Sequence, residues 1–285
     1  MNALWTYHRV TRSRPCGVCG SDHWCRRTVH ADGRVWNICN RVSSDRPAGG
    51  DGGGWLHPAD GRAATPLPQR SAEPPRLSPA EVETIDRQCR TALTPARLAK
   101  LAERLAVSDA ALLRLGVGWH AERAAFTFPM RDAAGRTVGI RTRHADGSKQ
   151  CVTGSRLGVI SHGGSWERLE TLVITEGESD AAAAIDLGFD VIARPGCSTC
   201  AGIVVDTLAR LRPDRVVLIA DADPPGQNGA HALARRIAAA GTICRVLTPP
   251  DGAEDLRAWK LLPESNTHAL AALIEAPADR TDCLS

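Results

Sequence analysis

From Leu169 onward, short apolar runs alternate with alanine-rich segments of helical period. "TLVIT" is followed by "SDAAAAIDLG", "DVIA" by a helix over residues 202–211, and "RVVLIA" by a helix around "GAHALARRIAAAG". "ICRVL" closes the series, and a last helix holds "DLRAWKLL". Strands separated by helices cannot pair as hairpins; such crossovers join parallel neighbours, and a parallel sheet needs cover on both faces. The C-terminal part is therefore predicted to be α/β, a mostly parallel sheet between helical layers.

In such a sheet, ligands gather at the carboxyl ends of the strands. Glu176 lies at that end of "TLVIT", and Asp221 and Asp223 lie at that end of "RVVLIA". Residues two apart on an extended chain point the same way, so both aspartates are placed to converge. Two bare carboxylates ~4 Å apart repel by roughly 4 kcal/mol at an effective dielectric near 20. A hard divalent cation removes the conflict, and an all-oxygen donor set favours Mg²⁺ or Mn²⁺. The alternative is a set of solvated strand ends and helix caps, a reading that suits Asp180 in particular.

Upstream, residues 45–78 are rich in Gly and Pro and read as a linker between a small N-terminal module and a larger body. Ser78-Pro79-Ala80-Glu81 forms a capping box that opens a helix, Thr94-Pro95 opens a second, and Ser108-Asp109 a third ending near Gly116. "LAERLAVSDAALLRLGVG" has the outline of a helix-turn-helix but no exposed polar recognition face, and reads as ordinary helical packing. Residues 124–160 change to short strands with turns at "RDAAGR" and "HADG". The expected organisation is residues 1–57 as a cysteine module, 58–77 as linker, 78–165 as a small α+β subdomain and 166–285 as the parallel-sheet domain.

The ten cysteines are not spread evenly: "CGVCGSDHWC" and "ICNR" place Cys16, Cys19, Cys25 and Cys39 in one short stretch. The first residues lack a signal-peptide core and no apolar run reaches membrane-spanning length, so a cytoplasmic chain with no membrane partner is expected. Clustered cysteines there are metal ligands rather than disulfides. A Cys-x₂-Cys knuckle followed by a hairpin with an Asp32-Gly33 turn is the layout of a zinc ribbon. A module this small needs the metal to fold. Cys25 is assigned as fourth ligand, with His23 and His30 as substitutes. Cys197-x₂-Cys200 is a lone pair in a strand-to-helix loop and reads as structural.

Net charge is only +3, so contact with nucleic acid must come from local patches. No Gly-Lys-Ser/Thr phosphate loop occurs, which excludes an ATP motor of that type. Lysine is scarce: Lys100, Lys149 and Lys260 are the only ones.

"VITEGESDAAAA" followed by "VVLIADADPPGQNGA" resembles the Toprim domain, with its glutamate-glycine motif on one strand and Asp-x-Asp on another. "GAEDLRAW" is similar to the acidic segment that primases place after it, which makes Asp255 a further metal-ligand candidate. "FTFPMRDAAGRTVGIRTRHADGSKQCVTGSR" resembles the matching part of the DnaG-type primase core, as found in compact phage and mobile-element proteins. The resemblance covers roughly residues 110–275. It implies a Toprim, Rossmann-like catalytic domain preceded by a small α+β subdomain and a zinc ribbon. Its implied activity is a DNA-directed RNA polymerase making short RNA primers on single-stranded DNA from ribonucleoside triphosphates, beside a separate replicative helicase. Glu176, Asp221 and Asp223 would be catalytic, and with Asp255 would hold Mg²⁺. Arg131, Arg141, Arg143 and Lys149 would grip template or nucleotide phosphates, the alternative being solvated strand-edge charges. In the ribbon, Trp24, Trp36 and Arg34 would contact DNA, the alternative for the tryptophans being core.

The rivals are a non-catalytic zinc/Toprim recombination mediator resembling RecR, and a Toprim nuclease. In RecR the zinc module sits directly before the Toprim unit, whereas here the primase-like segment intervenes. A topoisomerase needs a tyrosine nucleophile in a large gate, and the single tyrosine is Tyr7.

Overall fold

The structure, a computed structural model, describes residues 5–22, 25–30, 33–42, 44–46, 48, 54–59, 76–163, 169–250, 252–263 and 265–275. The chain divides into two compact units, Met1–Glu73 and Pro74–Ser285.

In the first unit β1 (Trp5–Arg9), β2 (Arg26–His30), β3 (Val35–Cys39) and β4 (Trp55–Pro58) form an antiparallel sheet in chain order. Gly33 turns the β2–β3 hairpin at φ +82°, a conformation that favours glycine; its anticipated partner Asp32 lies outside the described residues. Strand β4 lies inside the Gly/Pro-rich stretch 45–78, at the end of the segment expected to be the cysteine module. Trp55 pairs with Cys39 and Leu56 with Ile38, so this short apolar segment extends the sheet despite its glycine-rich flank. The remainder of the linker, residues 60–75, lies outside the described residues.

The second unit opens with α1 (Pro79–Thr91), α2 (Pro95–Leu105) and α3 (Asp109–Arg114). The capping box forms as read: the Ser78 hydroxyl accepts from the Glu81 N–H at 3.3 Å, and the Glu81 carboxylate accepts from the Ser78 N–H at 2.7 Å. Leu98, Leu101, Leu105 and Leu112 are buried, so α2 and α3 are packed helices rather than a displayed reading head.

β5 (Gly118–His120), β6 (Ala125–Arg131), β7 (Thr137–Arg143) and β8 (Lys149–Cys151) follow as an antiparallel sheet. Strand β5 has three residues, too few to show a period. β9 (Ile160–Ser161) then crosses to the edge of a second sheet.

That second sheet contains β10 (Thr171–Glu176), β11 (Asp190–Arg194), β12 (Arg215–Ile219) and β13 (Cys244–Leu247) in the order β13-β12-β10-β11-β9. All its pairings are parallel except that of β9 with β11. The intervening helices are α4 (Gly177–Asp186), α5 (Ala201–Leu211) and α6 (Pro224–Ala239), followed by α7 (Leu256–Lys260) and α8 (Thr267–Glu275). Helix α8 extends the architecture beyond the "DLRAWKLL" segment with which the sequence series ended.

Alternation along β10 divides the core. Val173 packs with α2, α3, α4, β6 and α8 on one face, and Leu172 and Ile174 pack with α5 and α6 on the other. Because β10 is the first strand of the series yet sits centrally, the connections leave it in opposite directions. That is a topological switch point, the place where sheets of this kind form a ligand crevice at the carboxyl ends of their strands, here β10 and β12.

Candidate functional site

Glu176 ends β10 at the mouth of this crevice. Gly177 follows at φ +81°, the left-handed turn that lets α4 start at once and leaves the Glu176 carboxylate at the strand end. Asp221 lies just beyond β12. Asp223 caps α6, its Oδ1 accepting from the Gly226 N–H at 2.7 Å, and Asp255 caps α7, its Oδ1 accepting from the Ala258 N–H at 2.6 Å. Each cap uses Oδ1, which leaves the capping and ligand readings compatible for Asp223; Asp255 Oδ2 lies 3.7 Å from Arg257 Nη2, an ion pair with which a metal-ligand role there would compete.

The acids interact electrically. Burial pushes the Glu176 carboxyl up, Asp223 adds to this, and Arg194 and Lys149 oppose it. Burial, then Glu176, Asp255 and Asp223, push Asp221 up to about 7. Asp180, read from sequence as a solvated cap, is buried instead, and its carboxyl is pushed well up by burial and by Asp255 and Asp221. It accepts from the Arg257 N–H at 3.0 Å, which docks α7 against α4. The signal for Asp180 was its place in the first turn of the helix that begins directly after Glu176. No three of these carboxylates approach as closely as the ligand atoms of a preformed metal cage; among the described residues only cysteines do so. The cluster is nevertheless all-oxygen, partly buried and under mutual repulsion, which fits a hard divalent cation.

Facing these acids is a wall of cations. Arg141 and Arg143 from β7 and Lys149 from β8 all meet Glu178, a residue with no exposed surface. Arg143 Nη1 donates to Glu178 Oε1 at 2.7 Å, Arg141 Nε lies 3.4 Å from Oε2, and Lys149 Nζ lies 3.6 Å from Oε1. Burial alone would push the Glu178 carboxyl up; Lys149, Arg141 and Arg143 outweigh it and hold it at about 2. The three cations are thus not solvated strand-edge charges, since their side chains are only 11%, 14% and 24% exposed. Sequence reading missed Glu178. Its signal was an unbalanced set of cations on two neighbouring strands, which burial would oblige an acid to meet.

Arg131 stands apart from the other three. It ends β6, whereas Arg143 pairs with Phe126 near the start of that strand. Five residues of extended chain separate Phe126 from Arg131, ~17 Å along the strand. Arg131 is buried, with Nε donating to the Ser161 carbonyl and Nη1 to the Gly135 carbonyl and Thr137 Oγ1. It braces the β6–β7 turn against β9. Arg194, also missed from sequence, is buried beside Glu176 in the register of β10 and β11 and donates to the Cys197 carbonyl. The loop holding Cys197 and Cys200 thereby supports the crevice, and burial pushes the Cys197 thiol up to about 11.

In the first unit the sulfurs of Cys16, Cys19, Cys25 and Cys39 all lie within 4.8 Å of one another. Cys19 and Cys25 are 3.6 Å apart, and Cys25 and Cys39 are 3.9 Å apart. Tetrahedral zinc with bonds of ~2.3 Å separates its sulfurs by about 3.8 Å, so this set is compatible with zinc. Val42 donates its N–H to Cys39 Sγ at 3.3 Å, as Arg41 does at 3.4 Å. His23, Trp24 and the side chain of His30 lie outside the described residues. Trp36 is buried and belongs to the core, with the Arg46 guanidinium 5.9 Å from its ring, so it offers no exposed platform for a base. Arg34, half-buried, precedes β3.

With this geometry in view, the family model described as Toprim-like matches residues 173–258, from β10 into α7. Residues 173–258 form a Toprim-like domain. No curated protein matches the sequence. Among solved structures, the chain resembles a DnaG catalytic core with a TM-score of 0.52 and 17% identity, over 67% of this chain and 77% of that one. It resembles the zinc-binding and RNA polymerase domains of the Aquifex aeolicus primase with a TM-score of 0.55 and 14% identity, over 70% and 61%. For the RNA polymerase domain of Mycobacterium tuberculosis primase DnaG the values are 0.51 and 17%, over 69% and 82%. At such identities the likeness is one of fold: the Toprim-like domain and the small sheet before it have the architecture of a primase core.

Proposed function

We propose that this chain is a primase-type nucleotidyltransferase that makes short RNA primers on single-stranded DNA. The observation that carries the reading is the meeting, within one body of primase-core fold, of two opposed groups. One is the carboxylate set Glu176, Asp180, Asp221, Asp223 and Asp255; the other is the cationic wall of Arg141, Arg143 and Lys149. The acids suit divalent metal and the cations suit phosphate, the two requirements of moving a nucleotidyl group.

Glu176, Asp221 and Asp223, with Asp180 and Asp255 beside them, would hold Mg²⁺ or Mn²⁺. When bound, the metal neutralises charge on the triphosphate and lowers the barrier to displacement at phosphorus. The 3′-hydroxyl forms a bond to the α-phosphorus as the bond to pyrophosphate breaks. Glu176, at the end of β10, would serve as metal ligand or accept the hydroxyl proton. Lys149, the most exposed of the three wall cations, is suited to meet phosphate oxygens. The four-cysteine cluster would hold one structural zinc, and the ribbon around it would contribute template contacts through Arg34 and Trp24.

Ribonucleotide incorporation on single-stranded DNA with Mg²⁺, beside a nuclease control, tests this reading. Incorporation by wild type and its loss in Glu176→Gln and Asp221→Asn are expected. Binding of DNA without Mg²⁺ dependence and without incorporation would favour the non-catalytic, mediator-like role, and strand cleavage in the control would favour the nuclease.

A further inference from the structure

Glu178 has no task in the chemistry above, and with no exposed surface it cannot meet a substrate. Yet it is where the antiparallel sheet is tied to the parallel one. Its carboxylate, in the first turn of α4, takes Arg141 and Arg143 from β7 and Lys149 from β8. Three cations on one carboxylate leave a surplus of positive charge, and the field of Lys149 is felt by Glu176, Asp180 and Asp221. Without Glu178 the three like charges would repel, and their long side chains would regain rotamer freedom and spread.

We propose that Glu178 is a positioning residue that holds Lys149, Arg141 and Arg143 as a preformed seat for phosphate oxygens beside the carboxylate cluster. The inference deepens the polymerase reading and rests on it for the source of the phosphate, either a nucleoside triphosphate or the backbone of a single strand. Two details favour a seat over a plain buried ion pair. Lys149 Nζ sits against the start of α4, 3.3 Å from where a Cβ on Gly177 would stand. The contacts are also graded. Arg143 is held by a direct 2.7 Å bond, whereas Lys149, at 3.6 Å and more exposed, can turn toward a phosphate while Arg143 keeps the wall in place.

Binding titrations on the full chain, with Mg-ATP in one arm and oligo(dT) in the other, test the proposal in wild type, Glu178→Gln and Glu178→Asp. Glu178→Gln is expected to weaken at least one arm by ~10- to 100-fold, as misplaced binding groups do, and Glu178→Asp to recover most of the loss. Where oligo(dT) is the weakened arm, its salt slope should fall in Glu178→Gln, because displaced cations meet fewer phosphates, and should return in Glu178→Asp. Lys149→Ala should reduce that slope by ~0.7 if the strand is the source. A purely architectural glutamate would lower the stability of the chain while leaving the affinity and salt slope of the folded protein unchanged. Should Glu178→Gln fail to fold, Arg143→Gln is compared with the Glu178→Gln, Arg143→Gln double variant, in which fewer cations are left unmatched; weaker binding by the double supports the proposal. Folded glutamine variants within about twofold of their references in both arms overturn it, as does a wild type that binds neither probe. A wild type that binds phosphate but incorporates no ribonucleotide would defeat the primase reading and leave the positioning role of Glu178 intact.

Discussion

A carboxyl group pushed up to about 7 in the folded state, as Asp221 is, opposes folding as pH rises. Between its ordinary pKa near 3.9 and about 7, the native chain holds a proton there that the unfolded chain has released, so stability falls across that window by up to ~4 kcal/mol without metal. Thermal unfolding in chelator from pH 4 to 8 should show this fall in wild type, less of it in Asp221→Asn, and its reversal at pH 7 on adding Mg²⁺. Glu178 behaves in the opposite sense. Its carboxyl is held at about 2 in the fold, so its contribution is present above its ordinary pKa and lost as pH drops through that window. Glu178→Gln should therefore cost stability at neutral pH, on the order of 3–5 kcal/mol for a broken buried ion pair, where Asp221→Asn relieves it. Chemical denaturation of the two variants side by side checks the difference in sign.

Among the elements, the ribbon and the first helix make separate demands. The four-sulfur cluster anchors the small apolar centre of the first unit, with Val10 and Val18. Metal analysis of freshly purified protein should find one zinc per chain, and Cys25→Ser or Cys39→Ser should lose it together with the ribbon's structure. Retention of zinc by Cys25→Ser would transfer the fourth place to a histidine. In α1 the capping box satisfies two end groups with exposed side chains, so Ser78→Ala should cost about 1 kcal/mol and leave the metal site untouched. Denaturant midpoints with an unchanged slope would show that the loss is local to the helix end.

In the molecule as a whole, the helices before the Toprim-like domain are part of its foundation. Leu112 of α3, Phe128 of β6, Val173 of β10 and Ile274 of α8 lie in one continuous core. A fragment of residues 166–285 would expose the face of β10 and α4 that this core covers, and is expected to remain unfolded by circular dichroism. Leu112→Ala, at a fully buried position, should destabilise the second unit by ~2–5 kcal/mol in a single transition seen equally by probes of either sheet.

The parallel sheet, the four cysteines and the acids at the strand ends were legible in the residues because their signals are local: an alternating period, a close spacing, a strand followed by glycine. Strand β4 and helix α8 were missed because short segments with little periodicity take their structure from the neighbour they pair or pack with. Asp180 and Glu178 show the same limit inside the site. Both stood in the quoted "TEGESD", but whether a carboxylate is solvated or buried depends on what the fold lays over it. Folding brought α7 onto Asp180 and the β7–β8 strands onto Glu178, and it carried Arg131 to the far end of β6, away from the arginines near it in sequence. Charge placement of this kind is set by long-range contact, because a buried ion is tolerable only where the tertiary structure supplies its partner.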